Sequence, residues 1–221
     1  MFVSSTIGRK IVMALTGQVL VLFILFHISG NSAIFSHRLN AYVAGLDALA
    51  WLVWPGRLVL GLAFLLHAIF GALLKFEDNA ARPQAYLMRR FRQATTAGRY
   101  QFWTGVAIAA FVVYHLLQFS FQVTDPSLAA DTHPDALGRP DVFMMVVQSF
   151  RHVLITAIYT VALACLGLHL MHGIQSSFQT WGLTSEAALP VIVKTGNAAA
   201  VLLFFWYAAI PISIAIGLLG P

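Results

Sequence analysis

Residues 7–31 read "IGRKIVMALTGQVLVLFILFHISGN". After Arg9 and Lys10 the run is apolar or small almost to its end, where His27 stands. A bilayer core needs about 20 consecutive apolar residues to be crossed by a helix. This stretch meets that length, so it reads as a membrane span carrying an imidazole near its far end. Four more runs have the same character, giving spans at roughly 11–32, 56–76, 101–121, 151–176 and 196–219. Only 10% of the 221 residues are charged and 59% are hydrophobic, against about 25% charged in soluble domains. The fold class is therefore all-α and integral to the membrane. Five helices are expected in one domain over residues 1–221, the first four of them forming a four-helix bundle. A β-barrel is excluded, because its strands would be short and alternating.

The remaining composition adds little. No internal repeat of fixed period stands out, and there is no low-complexity tract. Cys165, the single cysteine, lies inside an apolar run and reads as a packing residue. The first span is too long for a secretory leader and is expected to stay uncleaved.

Charge sets the orientation. Arg9, Lys10, Lys75, Arg82, Arg89, Arg90, Arg92, Arg99 and Lys194 fall on one side, nine basic residues against the four of Arg38, Arg57, Arg139 and Arg151 on the other. Lys and Arg collect in cytoplasmic loops. The N-terminus is thus expected inside, the C-terminus outside, and the basic loop 75–100 at the cytoplasmic face. That loop reads either as headgroup-level topology determinants or, with Tyr86, Leu87, Met88 and Phe91 interspersed, as a docking surface. Nucleic acid is not an expected partner.

Eight histidines are present. His37, His133 and His152 lie at the outer side. The other five are within spans: His27, His67, His115, His169 and His172. One intramembrane histidine is ordinarily a helix–helix hydrogen-bonding group, worth roughly 0.6–2 kcal/mol. One on each of the first four spans, with none on the fifth, points to a shared site. Depth refines this, at about 1.5 Å of rise per residue. His27 lies seventeen residues beyond Lys10 and His115 sixteen beyond Arg99, so both sit about 24–25 Å from the inner boundary. His67 lies eight residues before Lys75 and His169 twelve before Trp181, about 12 and 18 Å from that boundary. The pattern is two pairs at two depths. Paired imidazoles at one height are the axial ligands of a haem, and a haem ligated on both faces carries electrons and has no open position for oxygen. Two such haems b are expected. Gly71 and Gly173, each four residues after an inner histidine, would give a porphyrin edge room. Depth alone leaves His169 and His172 both open.

At these residues the chain resembles the dihaem cytochrome b membrane subunit of succinate:quinone oxidoreductases, the single-chain type of bacterial succinate dehydrogenases and fumarate reductases. The likeness covers nearly the whole chain: "GRKIVMALTG" with "FHISGN", "LLHAIFGALLKFEDNA" with "AYL", "RYQFWTG" with "VYHLLQ", and "LHLMHGIQSSFQTWGLT". In the family pattern the fourth ligand stands twelve residues before the Trp of the "TWG" turn, which selects His169 over His172. The resemblance implies a proximal haem on His67 and His169 and a distal haem on His27 and His115. It also implies a flavoprotein subunit with FAD and an iron–sulfur subunit on the cytoplasmic face of a bacterial inner membrane. Electrons would pass between these and a membrane quinone, menaquinone being the usual one, within a respiratory chain linked to the tricarboxylic acid cycle. No dicarboxylate chemistry would lie on this chain. The family places its quinone pocket near the distal haem, where Asp47, Arg151, His152 and, less favourably, Asp141 are the candidate proton partners. Asp47 reads equally as a solvated carboxylate at headgroup level. Some fumarate-reducing members carry an acidic residue two positions before the fourth ligand; here it is Gly167, which puts that proton route in doubt. The alternatives are the cytochrome b anchor of a hydrogenase or formate dehydrogenase, a haem-free transporter relaying protons through histidines, and a structural anchor using histidines as interhelix glue.

Overall fold

A computed structural model of the chain describes residues 4–81 and 95–220. Among the described residues it is helical throughout, with no strand. The helices are α1 (Thr6–Asn31), α2 (Leu39–Ala48), α3 (Ala50–Ala80), α4 (Thr96–His115), α5 (Val142–Arg151), α6 (Val153–Thr180) and α7 (Ala188–Ala215). A π turn over Leu116–Ser120 continues α4. Five of these segments, 25 to 31 residues long, are apolar enough to cross a bilayer: the chain is a multi-pass membrane protein.

The spans begin and end where local chemistry dictates. Ser5 caps α1 by accepting from the Gly8 amide at 3.0 Å, and Thr95 caps α4 by accepting from Gly98 at 3.1 Å, each supplying a partner to an otherwise orphaned donor. These caps start both helices about five residues earlier than hydropathy predicts. At the other end of α6, Gly182 adopts φ +69° and Leu183 N–H returns to the Phe178 carbonyl at 3.0 Å, a Schellman stop that needs glycine's left-handed freedom. Gly217 at φ +77° stops α7 in the same manner, so that span finishes at Ala215 rather than at 219. The helix is continuous through Pro211.

α1 packs along α3 and α4 along α6; the contacts of α1 with α6 and of α3 with α4 close the four into a ring, and α7 lies against the outside of α6. Small residues let α6 and α7 approach: Gly167 faces Phe204 and Ala200, and a Cβ on Gly196 would come 3.1 Å from Ile174. α3 is the opposite case. It buries only Ala63, and leaves Trp51, Leu58, Leu62 and Ile69 exposed, a surface suited to acyl chains. Trp54, with Arg57 stacked 5.0 Å from its ring centre, marks the outer boundary of this span as aromatic and basic anchors do.

Much of the buried apolar cluster lies at the end of the bundle that carries His27 and His115, where Ile28, Ile34, Leu39, Val147 and Phe150 meet Leu203 and Ile210 of α7. Two helices that span-length hydropathy does not detect, α2 and α5, contribute to it. They are joined by Asn40, which accepts from the Phe143 amide at 2.8 Å and donates to Asp141 at 2.9 Å. Asp141 also caps α5 by accepting from Met144 N–H at 3.0 Å, which gives it a structural task.

The loop before α5 closes on Asp135. Arg139 donates to it through Nε at 2.9 Å and Nη2 at 2.7 Å, and the Leu137 and Arg139 amides donate to its other oxygen. The Arg139 side chain foremost, then these amides, hold the Asp135 carboxyl down at about 2 from an ordinary 3.8. A depressed carboxylate stabilises the fold above its unfolded pKa and stops doing so as pH falls through its folded one. The Leu137 and Arg139 amide signals should therefore hold their positions from pH 7 to about 3 and move as pH falls through about 2. Asp135→Asn should abolish that titration; an unchanged titration would refute the role given to this carboxylate.

Candidate functional site: two facing pairs of histidines

His27 lies in the last turns of α1, and His115 is the last residue of α4 before the π turn. Their ring centres are 5.8 Å apart. His67, inside α3, and His169, inside α6, lie 6.2 Å apart, centre to centre. The pairs deduced from depth are thus the pairs in contact. His172 belongs to neither; it packs against Gly98, whose added Cβ would lie 3.0 Å from His172 Nδ1. Among the described residues no group of three or more His, Cys, Asp or Glu side chains is placed to hold a metal ion; the histidines come in twos.

The inner pair is held by a matching device on each side. His67 Nδ1 lies 3.0 Å from the Met13 carbonyl of α1 and 3.5 Å from Thr16 Oγ1. His169 Nδ1 lies 3.2 Å from Thr104 Oγ1 of α4. A carbonyl only accepts, and a threonine that spends its proton on its own helix has only an acceptor left to offer, so Nδ1 carries the proton in both rings and Nε2 keeps a bare lone pair. Each threonine is buried and donates its own proton back along its helix, Thr16 to Val12 at 2.8 Å and Thr104 to Gln101 at 3.0 Å. The next residue is glycine in both cases. A Cβ on Gly17 would meet His67 Cε1 at 3.1 Å, and one on Gly105 would meet His169 Cε1 at 3.2 Å.

This symmetry exposes a repeat. Thr16-Gly17 precedes His27, and Thr104-Gly105 precedes His115, by the same number of residues; Leu66-His67 with Gly71 matches Leu168-His169 with Gly173. The two halves are α1 with α3 and α4 with α6. The sequence reading finds no fixed period because the second half carries fourteen more residues between its histidines, 54 against 40. The residues that sequence reasoning missed are Gly17, Gly105, Thr16 and Thr104. Gly71 and Gly173, the glycines it singled out, meet their nearest neighbours only at an ordinary 3.8 Å.

The outer pair is less symmetric. His115 Nδ1 lies 3.2 Å from the Tyr159 hydroxyl, which donates to Gln118 Oε1 at 2.9 Å. Phe111, Phe119 and Phe150 surround this tyrosine. His27 stacks on Phe23, and its Nε2 lies 3.1 Å from Asn31 Nδ2.

The spacing within each pair matches that of two imidazoles on one metal ion. Metal–imidazole nitrogen bonds run about 2.0–2.1 Å for zinc, so two imidazoles gripping one metal from opposite sides have centres roughly 6 Å apart. Metal-ligating histidines keep the second nitrogen proton on a neighbouring acceptor, as three of the four rings do here. His27 would have to release Asn31. Of the basic groups near either end, Arg9 is paired with Glu77, and Arg38 and Arg151 are exposed on the outer side.

The quinone candidates are not assembled by hydrogen bonds. Asp47 is exposed on α2, Arg151 ends α5 and His152 is exposed at the α5–α6 junction. No hydrogen bond or ion pair joins Asp47 to either, among the described residues. Residues 82–94, with most of the basic loop's arginines and its Tyr86, Leu87, Met88 and Phe91, lie outside the described residues, so the docking surface read there does too.

No protein-family model, curated protein or solved structure matches this chain.

Filling the glycine seats is the direct test of this geometry. Overpacking a close contact typically costs about 1–3 kcal/mol, so Gly17→Val and Gly105→Val should each lower the thermal midpoint in detergent. Gly71→Ala and Gly173→Ala, with space at 3.8 Å, should not.

Proposed function

We propose that this chain is the membrane-anchor cytochrome b subunit of a succinate:quinone oxidoreductase. It would hold two haems b, a proximal one on His67 and His169 and a distal one on His27 and His115. The reading is carried by one observation: two facing imidazole pairs, 6.2 and 5.8 Å between centres, each formed across the two halves of the chain. The motif resemblance set out above adds the class of complex. When bound, haem supplies reversible one-electron transfer, and axial ligation by two imidazoles dedicates it to that task.

The chain's own residues bind, orient and insulate. Met13, Thr16 and Thr104 hold the Nδ1 protons of the inner pair, keeping each Nε2 deprotonated for the metal. Gly17 and Gly105 let the imidazoles sit against the neighbouring helix. α2 and α5 with the outer apolar cluster keep water from the outer pair. By the charge bias the inner pair lies toward the cytoplasm, where the iron–sulfur and flavoprotein subunits would dock, in a bacterial inner membrane. Quinone, menaquinone being the expected species, would react near the outer pair. Asp47, Arg151 and His152 remain its candidate proton partners through their side of the membrane.

Haem-to-polypeptide ratio and a reduced-minus-oxidised spectrum test this together. Two haems per chain are expected. His67→Ala and His169→Ala should each remove the same haem, His27→Ala and His115→Ala the other, and His172→Ala neither. A colourless chain, a single haem, or a loss caused by His172→Ala but not His169→Ala would overturn the assignment. A flavoprotein should co-purify; a molybdenum or nickel subunit in its place would assign the chain to another quinone-linked dehydrogenase.

A further inference from the structure

Tyr159, on α6, is 6% exposed and Gln118, in the π turn after His115, is 7% exposed. Both are polar, both face the interior of a membrane protein, and neither is needed to close a helix. A π turn beside a site is often a functional feature. Here the turn directly follows His115, and Phe121 N–H closes it on the Leu116 carbonyl at 2.8 Å.

The three side chains form one hydrogen-bonded line that ends on an acceptor, Gln118 Oε1. Tyr159 O–H donates to Gln118 Oε1 at 2.9 Å, and His115 Nδ1 lies 3.2 Å from the same hydroxyl oxygen. A tyrosine has a single hydroxyl proton. With that proton committed to Gln118, the oxygen can only accept from His115, so Nδ1 must carry hydrogen and Nε2 must not. Reversing the line would reverse the histidine: if Tyr159 donated to Nδ1, Nε2 would be protonated and its lone pair lost.

We infer that Gln118, acting through Tyr159, is a positioning residue that holds His115 in its Nδ1–H form with a bare Nε2. The tautomer follows from the hydrogen bonds alone; its use in gripping a metal rests on the function proposed above. Gln118 thereby does for the outer level what the Met13 carbonyl and the Thr104 hydroxyl do for the inner one. The inner acceptors are direct, whereas the outer one acts through an intervening tyrosine. Partners that orient a ligating histidine typically change metal affinity 10–100-fold when removed.

The test uses the full chain in lipid bilayers with 15N-labelled histidine. It is produced in cells deprived of haem synthesis, so that His115 reports its hydrogen bonds alone. Its signals are identified by their loss in His115→Gln. The wild type should show a protonated Nδ1 and an unprotonated Nε2. Gln118→Leu removes the acceptor and should move the proton to Nε2, because a buried hydroxyl donor takes the acceptor that remains. Gln118→Glu restores an acceptor and should restore the wild-type pattern. In haem-replete cells Gln118→Leu should weaken retention of the distal haem about tenfold, with the proximal haem unchanged and Gln118→Glu again restoring it. A wild-type Nε2 that carries the proton, or a Gln118→Leu chain whose His115 is unaltered, overturns the inference. A colourless wild type with the expected nitrogen pattern would remove the haem reading and leave this one standing.

Discussion

An imidazole within a bilayer has no water to take its proton, so a neighbouring helix must. The arrangement of the four central helices follows from that requirement. His67 turns its Nδ1 to α1, His169 turns its own to α4, and His115 bonds α6. Each bond ties two helices that lipid would not press together, since acyl chains are as apolar as leucine and no hydrophobic force drives such helices into contact. The same bonds fix which nitrogen is bare. Structure and chemistry are set by one choice of proton position.

Packing around this frame is uneven. The α6–α7 face and the outer cap of α2 and α5 hold most of the buried apolar residues, while α3 buries only Ala63. Phe150 of the cap packs on Tyr159, the hydroxyl partner of His115. Asn40 is the small polar joint of this cap, bonding the start of α2 to the start of α5 across a hundred residues of chain.

The two halves of the chain present the same chemistry with different surroundings. At the inner level both histidines have a threonine and a glycine from the helix beside them. At the outer level one histidine has a tyrosine and glutamine, and the other an asparagine one turn away. Equivalent helices thus present matching partners at the inner level and different ones at the outer.

The five spans, their order and the histidines on the first four were legible in the sequence, because hydropathy and helical rise are local properties of a chain in lipid. The histidines predicted to share a level are those in contact. The short helices α2 and α5 were not legible, being under span length and held by contacts with each other rather than by their own composition. Nor was the repeat, hidden by an unequal insertion, or the close seating of His67 and His169 on Gly17 and Gly105. That seating depends on which face of a helix meets which neighbour, and rise per residue gives height but not rotation. Sequence therefore determined how far along its span each histidine stands; only the tertiary structure decided what stands beside it, because lateral contact is set by how the helices turn and pair.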